Sequence, residues 1–181
     1  MNGLTAIIED KLSHKIKLHE CKVISLGCGI GITESNFKCD SIDGVDIFDY
    51  RLNHFLKNWN AVKGNFTIGD IRKIDKIVKE KSYDVVLNLD VIEHLEKEEG
   101  WKLIKDAESI ATKAVVFYTP IKWDTNEKAT TDKTLWNYGN NYNLHKSLWT
   151  VREFMDKGYE VFLEYPNWTS PEGLIAIKVF K

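Results

Sequence analysis

VISLGCGIG, residues 23–31, is a short apolar run that ends in three alternating glycines. Val23 to Leu26 suit a buried parallel strand, which reads as a continuous apolar run because both of its faces are covered. Gly27, Gly29 and Gly31 then let the backbone turn sharply and approach a ligand closely. Working outward, IDGVDIF at residues 42–48 is a second strand that ends in Asp46, 19 positions after Gly27. A carboxylate about 20 residues past the first glycine is placed to accept hydrogen bonds from ribose hydroxyls. A glycine-rich loop alone reads equally as a tight strand-to-helix turn; the acidic strand end is what turns it into a nucleoside site.

Glycine spacing separates two ligand classes. The nicotinamide and flavin fingerprint is G-x-G-x-x-G, whereas here the third glycine comes one residue sooner. The G-x-G-x-G of Gly27, Gly29 and Gly31, followed by Asp46, resembles the class I S-adenosylmethionine-dependent methyltransferases. Further segments resemble that family in the order it requires. GVDI ends the second strand, with a helix-like DYRLNHFLKNW after it. NFTIGD places Asp70, with Ile71 following, near the adenine amine. YDVVLNLDVIEHL is a fourth strand whose Asn88, Leu89 and Asp90 run beside the cofactor, with Glu93 and His94 opening the next helix. KAVVFYTP is a fifth strand. NLHKSLWTVREFMDKGYEV carries an H-x-S-x-W segment found in small single-domain members, and the match spans residues 22 to about 180.

The resemblance implies a three-layer α/β/α sandwich, Rossmann-like, with a seven-stranded, mostly parallel sheet. YEVFLEY and GLIAIKVF, separated by PNWTSPE, supply the antiparallel C-terminal pair. It implies S-adenosyl-L-methionine as cofactor, held by Gly27, Cys28, Gly29, Gly31, Asp46, Ile47, Asp70, Ile71, Leu89 and Asp90. One position departs from the family, which carries Asp or Glu two residues before the first glycine, where this chain has Ser25. Serine accepts a hydrogen bond without bringing charge, so a cofactor binder without turnover stays open beside the enzyme. The other alternative is an NAD-dependent oxidoreductase, disfavoured by the glycine spacing and by the lack of an evident Ser-Tyr-Lys set.

The chain of 181 residues has the size of one domain, residues 1–181, with no linker, low-complexity run or internal repeat. Leu4, Ile7, Ile8, Leu12 and Ile16 recur at near-helical spacing and predict an N-terminal helix within residues 1–20, expected to pack on the sheet, with capping of the cofactor cleft as the alternative. Three cysteines, Cys21, Cys28 and Cys39, without C-x-x-C spacing, argue against a disulfide framework or zinc knuckle and for a reducing, cytoplasmic setting. Cys28 reads as a small buried side chain. No apolar run reaches the roughly 18 residues of a membrane span. The net charge is −2, with Lys and Arg scattered among acidic residues rather than gathered on one face. Phosphate-rich partners call for a basic face, so nucleic acid is disfavoured and a small-molecule or saccharide-linked substrate expected, with no particular oligomeric state implied.

A hydroxyl acceptor needs its proton removed by a nearby base. Under the family's topology His94 and His145 are placed for that catalytic task, although a lone histidine is more often a structural hydrogen-bonding residue. Asp90, Glu93 and His94 also resemble the divalent-ion cluster of ubiquinone-type O-methyltransferases. The same D-x-x-E-H pattern occurs widely without metal, and the expectation is that none is bound. Residues 118–149, with a lid over 118–145, are rich in aromatic and amide side chains. Tyr118, Trp123, Trp136, Asn141, Tyr142 and Trp149 are the expected substrate contacts, in a stretch that also holds Tyr138, Asn137, Asn140 and Asn143. Rings stack on sugars and amides bond their hydroxyls; ordinary loop packing is the competing reading.

Overall fold

A computed structural model describes residues 3–49, 63–135, 137–164 and 172–180. Nearly all of the helix expected over DYRLNHFLKNW, most of PNWTSPE, and Trp136 lie outside the described residues. The strands are β1 (Val23–Leu26), β2 (Ile42–Asp46), β3 (Phe66–Ile68), β4 (Tyr83–Leu89), β5 (Ala111–Pro120), β6 (Glu160–Glu164) and β7 (Gly173–Val179). The helices are α1 (Gly3–Ser13), α2 (Lys97–Ile110), α3 (Glu127–Thr131) and α4 (Val151–Asp156). The strands form one seven-stranded sheet in the order β3-β2-β1-β4-β5-β7-β6. β1 to β5 pair in parallel, while β7 runs antiparallel to both β5 and β6.

Side chains alternate across a strand, and that alternation divides the core in two. Ile24 and Leu26 of β1, Val86 of β4, Val115 and Phe117 of β5, and Leu174 and Ala176 of β7 pack on the side covered by α2 and α4. Val23, Val85 with Leu87, Ala114 with Val116, and Ile175 with Ile177 pack on the opposite side, under α1. Both faces are therefore apolar, which is why the strands read as continuous apolar runs.

The N-terminal helix is shorter than its apolar stripe suggests. α1 stops at Ser13, whose hydroxyl donates to the Asp10 carbonyl at 2.7 Å, and the amides of Lys15 and Ile16 both turn back to Leu12 O. Ile16 is nonetheless buried with Leu4, Ile8 and Leu12, so the stripe reports burial correctly and helix length incorrectly. A second correction bears on the site. Glu93 and His94 do not open a helix; they lie in a single 3₁₀ turn, Ile92–His94, and α2 begins only at Lys97. There the Glu96 amide donates to Glu99 Oε2 at 3.1 Å, a capping contact that sets the helix start three residues later.

Between β1 and β4 the order in which strands are added reverses direction. Open parallel sheets bind ligands at that switch point, in the crevice beyond the carboxyl ends of the strands. The glycine loop, Asp46 and the segment after Leu89 all emerge there.

Candidate active site

A cavity of about 370 Å³ opens at this switch point, within the range of small-molecule sites. All ten residues expected to hold the cofactor line it: Gly27, Cys28, Gly29, Gly31, Asp46, Ile47, Asp70, Ile71, Leu89 and Asp90. The loop glycines have φ of 80°, 52° and 70° at Gly27, Gly29 and Gly31, values that L side chains rarely adopt. Gly27 is also tight: a Cβ there would sit 2.5 Å from Val91 Cγ1 and 2.6 Å from Val91 Cγ2. Gly27→Ala is therefore expected to cost about 1–3 kcal/mol of stability, read by denaturant unfolding. An unchanged midpoint would show that the loop relaxes freely.

Asp46 organises the loop from below. Its Oδ2 accepts from the Gly29 amide at 2.8 Å and its Oδ1 from the Phe48 amide at 2.9 Å. Burial raises its carboxyl pKa, and the backbone amides at Phe48, Gly29 and Ile47 pull in the other direction. A carboxylate has about four lone-pair sites, so acceptor capacity remains beside these amides for the hydroxyls of a ribose. Asp70 differs. Its carboxylate is held by the Arg72 guanidinium, at 2.7 Å from Nη2 to Oδ2 and 2.8 Å from Nε to Oδ1, and that bonding lowers its pKa. Arg72, which the sequence reading passed over, is thus part of the wall. Asn88 stands behind the cavity rather than in it: its Nδ2 donates to Leu26 O at 2.8 Å and ties the ends of β4 and β1 together. Asp90, at φ 62°, donates its amide to Tyr118 O at 2.9 Å. These features fit a nucleoside: a diol acceptor at Asp46, a cleft between Ile71 and the glycine loop, and carboxylates along its length.

Ser25 is fully buried and donates from Oγ to Glu34 Oε1 at 2.7 Å. Glu34 is 3% exposed yet lines the cavity. Burial pushes its carboxyl pKa up to about 7, against the opposing bond from Ser25. Nothing in ITESNF marks this residue; the signal was the serine at the strand end, which left a charge to be found elsewhere.

On the acceptor side, His94 lines the cavity and His145 packs against it with ring centroids 4.9 Å apart; His145 is not itself in the cavity wall. Burial, then the neighbouring His145, push the His94 pKa down to about 4, so the ring is neutral at pH 7. His94 Nδ1 and Glu93 Oε1 are buried without a hydrogen-bond partner, while Glu93 Oε2 accepts from Thr119 Oγ1 at 2.9 Å. Burial, then the charge of Asp90, hold the Glu93 pKa well above the carboxylate range. Glu93, His94 and His145 bring one ligand atom each within 4.8 Å of one another, so these three could hold a metal ion; Asp90 is outside the group.

The H-x-S-x-W segment explains how this turn is held. The amides of Lys146 and Ser147 donate to Glu93 O at 2.8 and 3.0 Å, and Trp149 Nε1 donates to Ser147 Oγ at 2.9 Å. Among the expected substrate contacts that fall within the described residues, only Tyr142 lines the cavity. Trp149 is a core residue, 1% exposed and packed with Trp101 and Phe154. Tyr118 packs on the α1 side of the sheet, because strand alternation sends it there. Trp123 is an exposed side chain outside the cavity wall, and Asn141 is also absent from that wall. Amides do line it: Asn126, Asn137, Asn140 and Asn143, joined by Lys146.

No helix among the described residues is long and apolar enough to cross a membrane. Comparison with known proteins agrees with the geometry. The chain is 27% identical over 103 residues to a ubiquinone biosynthesis O-methyltransferase of Rickettsia bellii, a match covering 55% of this chain and 42% of that relative. It thus spans well under half the length of the curated relative it matches. Among solved structures, magnesium protoporphyrin IX methyltransferase from Synechocystis PCC 6803 with bound S-adenosylhomocysteine aligns with a TM-score of 0.62 and 18% identity. That alignment covers 99% of this chain and 82% of that one. Small RNA methyltransferase HEN1 aligns with a TM-score of 0.56 and 21% identity, over 95% of this chain and 24% of that one. Residues 24–117, more than half of the chain, match the family described as methyltransferase domain, and the chain belongs to that family, the class I S-adenosylmethionine-dependent methyltransferases.

Proposed function

We propose that this protein transfers a methyl group from S-adenosylmethionine to a hydroxyl of a small or saccharide-linked acceptor, in the cytoplasm, as a single domain over residues 1–181. One observation carries the acceptor reading: the cavity wall presents the amide side chains of Asn126, Asn137, Asn140 and Asn143 beside the ring of Tyr142. Amide groups donate to and accept from hydroxyls, and an aromatic face stacks on a ring-shaped ligand. The three free thiols support the reducing location.

When bound, the cofactor supplies an electrophilic methyl group on a sulfonium. The protein's share is positioning and proton removal. Asp46 and the glycine loop fix the nucleoside, while Tyr142 and the asparagines orient the acceptor, so much of the acceleration comes from proximity. His94, neutral and in the cavity wall, accepts the acceptor's proton, and His145 packs against its ring. General bases contribute about 10²–10⁴-fold. His94→Ala is accordingly expected to lower kcat by about 10²-fold or more, with S-adenosylhomocysteine affinity kept. A variant with unchanged kcat would remove the histidine from the chemistry.

The deciding experiment follows transfer from methyl-labelled cofactor into three pools: soluble glycosides and other small hydroxylated compounds, lipid-free saccharide precursors, and RNA. Label in either of the first two supports this reading; label in RNA alone, or in none while S-adenosylhomocysteine still binds, overturns it. A second reading is favoured by the Glu93, His94 and His145 group, whose unpartnered atoms suit a divalent cation that lowers the acceptor's pKa. Chelation that abolishes turnover, restored by magnesium or manganese, would select it; turnover indifferent to chelator would select the histidine base.

A further inference from the structure

We propose that Glu34 supplies the carboxylate that the end of β1 lacks at Ser25, and that it binds the ammonium group of the cofactor's amino-acid moiety beside the glycine loop. The inference rests on the S-adenosylmethionine reading of the cavity. Three strand ends lie in the order β3, β2, β1 across the cleft. Asp70 with Ile71 follows the first, Asp46 closes the second, and the glycine loop with Glu34 follows the third. Adenine, ribose and amino acid are joined in that same linear order. With the ribose at Asp46 and the adenine at Asp70 and Ile71, the amino-acid part is left to the β1 end, where Glu34 stands.

Charge accounting singles out the same residue. Asp70 is neutralised by Arg72, and Asp46 is engaged by backbone amides that include Gly29 and Phe48. Asp90 lines the cavity but is exposed to water. Glu34 is buried, has the neutral hydroxyl of Ser25 as its side-chain donor, and faces the cavity 3% exposed. An ionised carboxylate is costly in that setting unless a cation joins it. The burial-raised pKa of Glu34 is consistent with a site completed by a positively charged ligand. Ser25 has the role of a positioning residue: its hydroxyl holds Oε1 at 2.7 Å and so orients the carboxylate across a separation of nine residues. The family's strand-end acid has in effect been split, with the orienting hydroxyl left on β1 and the charge moved to the 3₁₀ turn Glu34–Asn36.

The test uses calorimetric titration with two probes, S-adenosylhomocysteine, which carries the ammonium, and 5′-methylthioadenosine, which lacks the amino-acid moiety. Glu34→Gln keeps the side-chain volume and an acceptor for Ser25. It is expected to weaken S-adenosylhomocysteine about 10- to 100-fold and leave methylthioadenosine within threefold of wild type. Ser25→Ala, which retains the charge, should give a smaller loss with the same selectivity. Asp90→Asn, at the water-exposed carboxylate of the same cavity wall, should leave the ratio of the two affinities unchanged. Equal losses for both probes in Glu34→Gln would mean a structural role and overturn the proposal, as would an unchanged S-adenosylhomocysteine affinity or a selective loss in Asp90→Asn instead. If the wild-type protein binds neither probe, the cofactor reading itself has failed and this inference with it. Should Glu34→Gln not fold, the Ser25→Ala and Asp90→Asn ratios still decide the outcome.

Discussion

Asp46→Ala is expected to weaken S-adenosylhomocysteine by at least about 100-fold, the equivalent of about 3 kcal/mol. Two losses combine. The ribose diol loses both carboxylate oxygens, and the loop loses the 2.8 Å bond that fixes the Gly29 amide and the 2.9 Å bond at Phe48. Hydrogen bonds to charged groups are worth about 1.5–3 kcal/mol each, so either loss alone is visible by calorimetry. Unlike Glu34→Gln, this change should weaken methylthioadenosine as strongly, because both probes carry the ribose. The apo protein should melt close to the wild-type temperature, since removing a buried carboxylate also removes its desolvation cost. An S-adenosylhomocysteine affinity within threefold of wild type would take the ribose away from Asp46 and with it the nucleoside reading of this cleft.

The nucleoside half of the site was legible because its determinants are local. A glycine loop and an acidic strand end lie at fixed offsets along the chain, and the strands that carry them are apolar on both faces. The acceptor half was read poorly for a physical reason. Composition marked residues 118–149 as aromatic and amide-rich, but which side of the sheet a ring faces depends on strand register and packing. Tyr118 and Trp149 fell to the two cores, one on each side, while Tyr142 and four of the asparagines of that stretch reached the cavity. Trp136 lies outside the described residues. Glu34 was invisible for a third reason: its meaning is a tertiary contact with Ser25 across the glycine loop, and only the vacancy of charge at position 25 hinted at it. Similarly, the offset between the 3₁₀ turn at Ile92–His94 and the start of α2 at Lys97 cannot be seen in D-x-x-E-H, because the capping glutamates that delay the helix lie beyond the motif.

Trp149→Ala is expected to destabilise the protein by about 3–5 kcal/mol, the range for deleting a large buried aromatic side chain, and so to lower Tm by about 10 °C or more. The indole sits 4.8 Å from Trp101 and 5.7 Å from Phe154, with Lys97 Nζ 3.8 Å above its ring, and Gly100 of α2 leaves room for it by having no side chain. Gly100→Ala would place a methyl group against the indole, so the helix and the ring are matched to each other. A substrate contact would behave differently, raising the acceptor KM while leaving Tm alone. The indole also acts at a distance on the chemistry. Its Nε1 donates to Ser147 Oγ at 2.9 Å, and the adjoining amides of Lys146 and Ser147 hold Glu93 O, fixing the turn that presents His94. Trp149→Phe reduces the packing loss while still removing the donor: a six-membered ring stays in the core, the Nε1 donor and part of the indole volume are lost, and the stability cost falls to about 1–3 kcal/mol. In that variant a lower kcat with unchanged S-adenosylhomocysteine affinity would show that the H-x-S-x-W segment works by bracing the histidine turn from the core. A Trp149→Ala protein that melts like wild type and differs only in acceptor KM would return Trp149 to the binding surface.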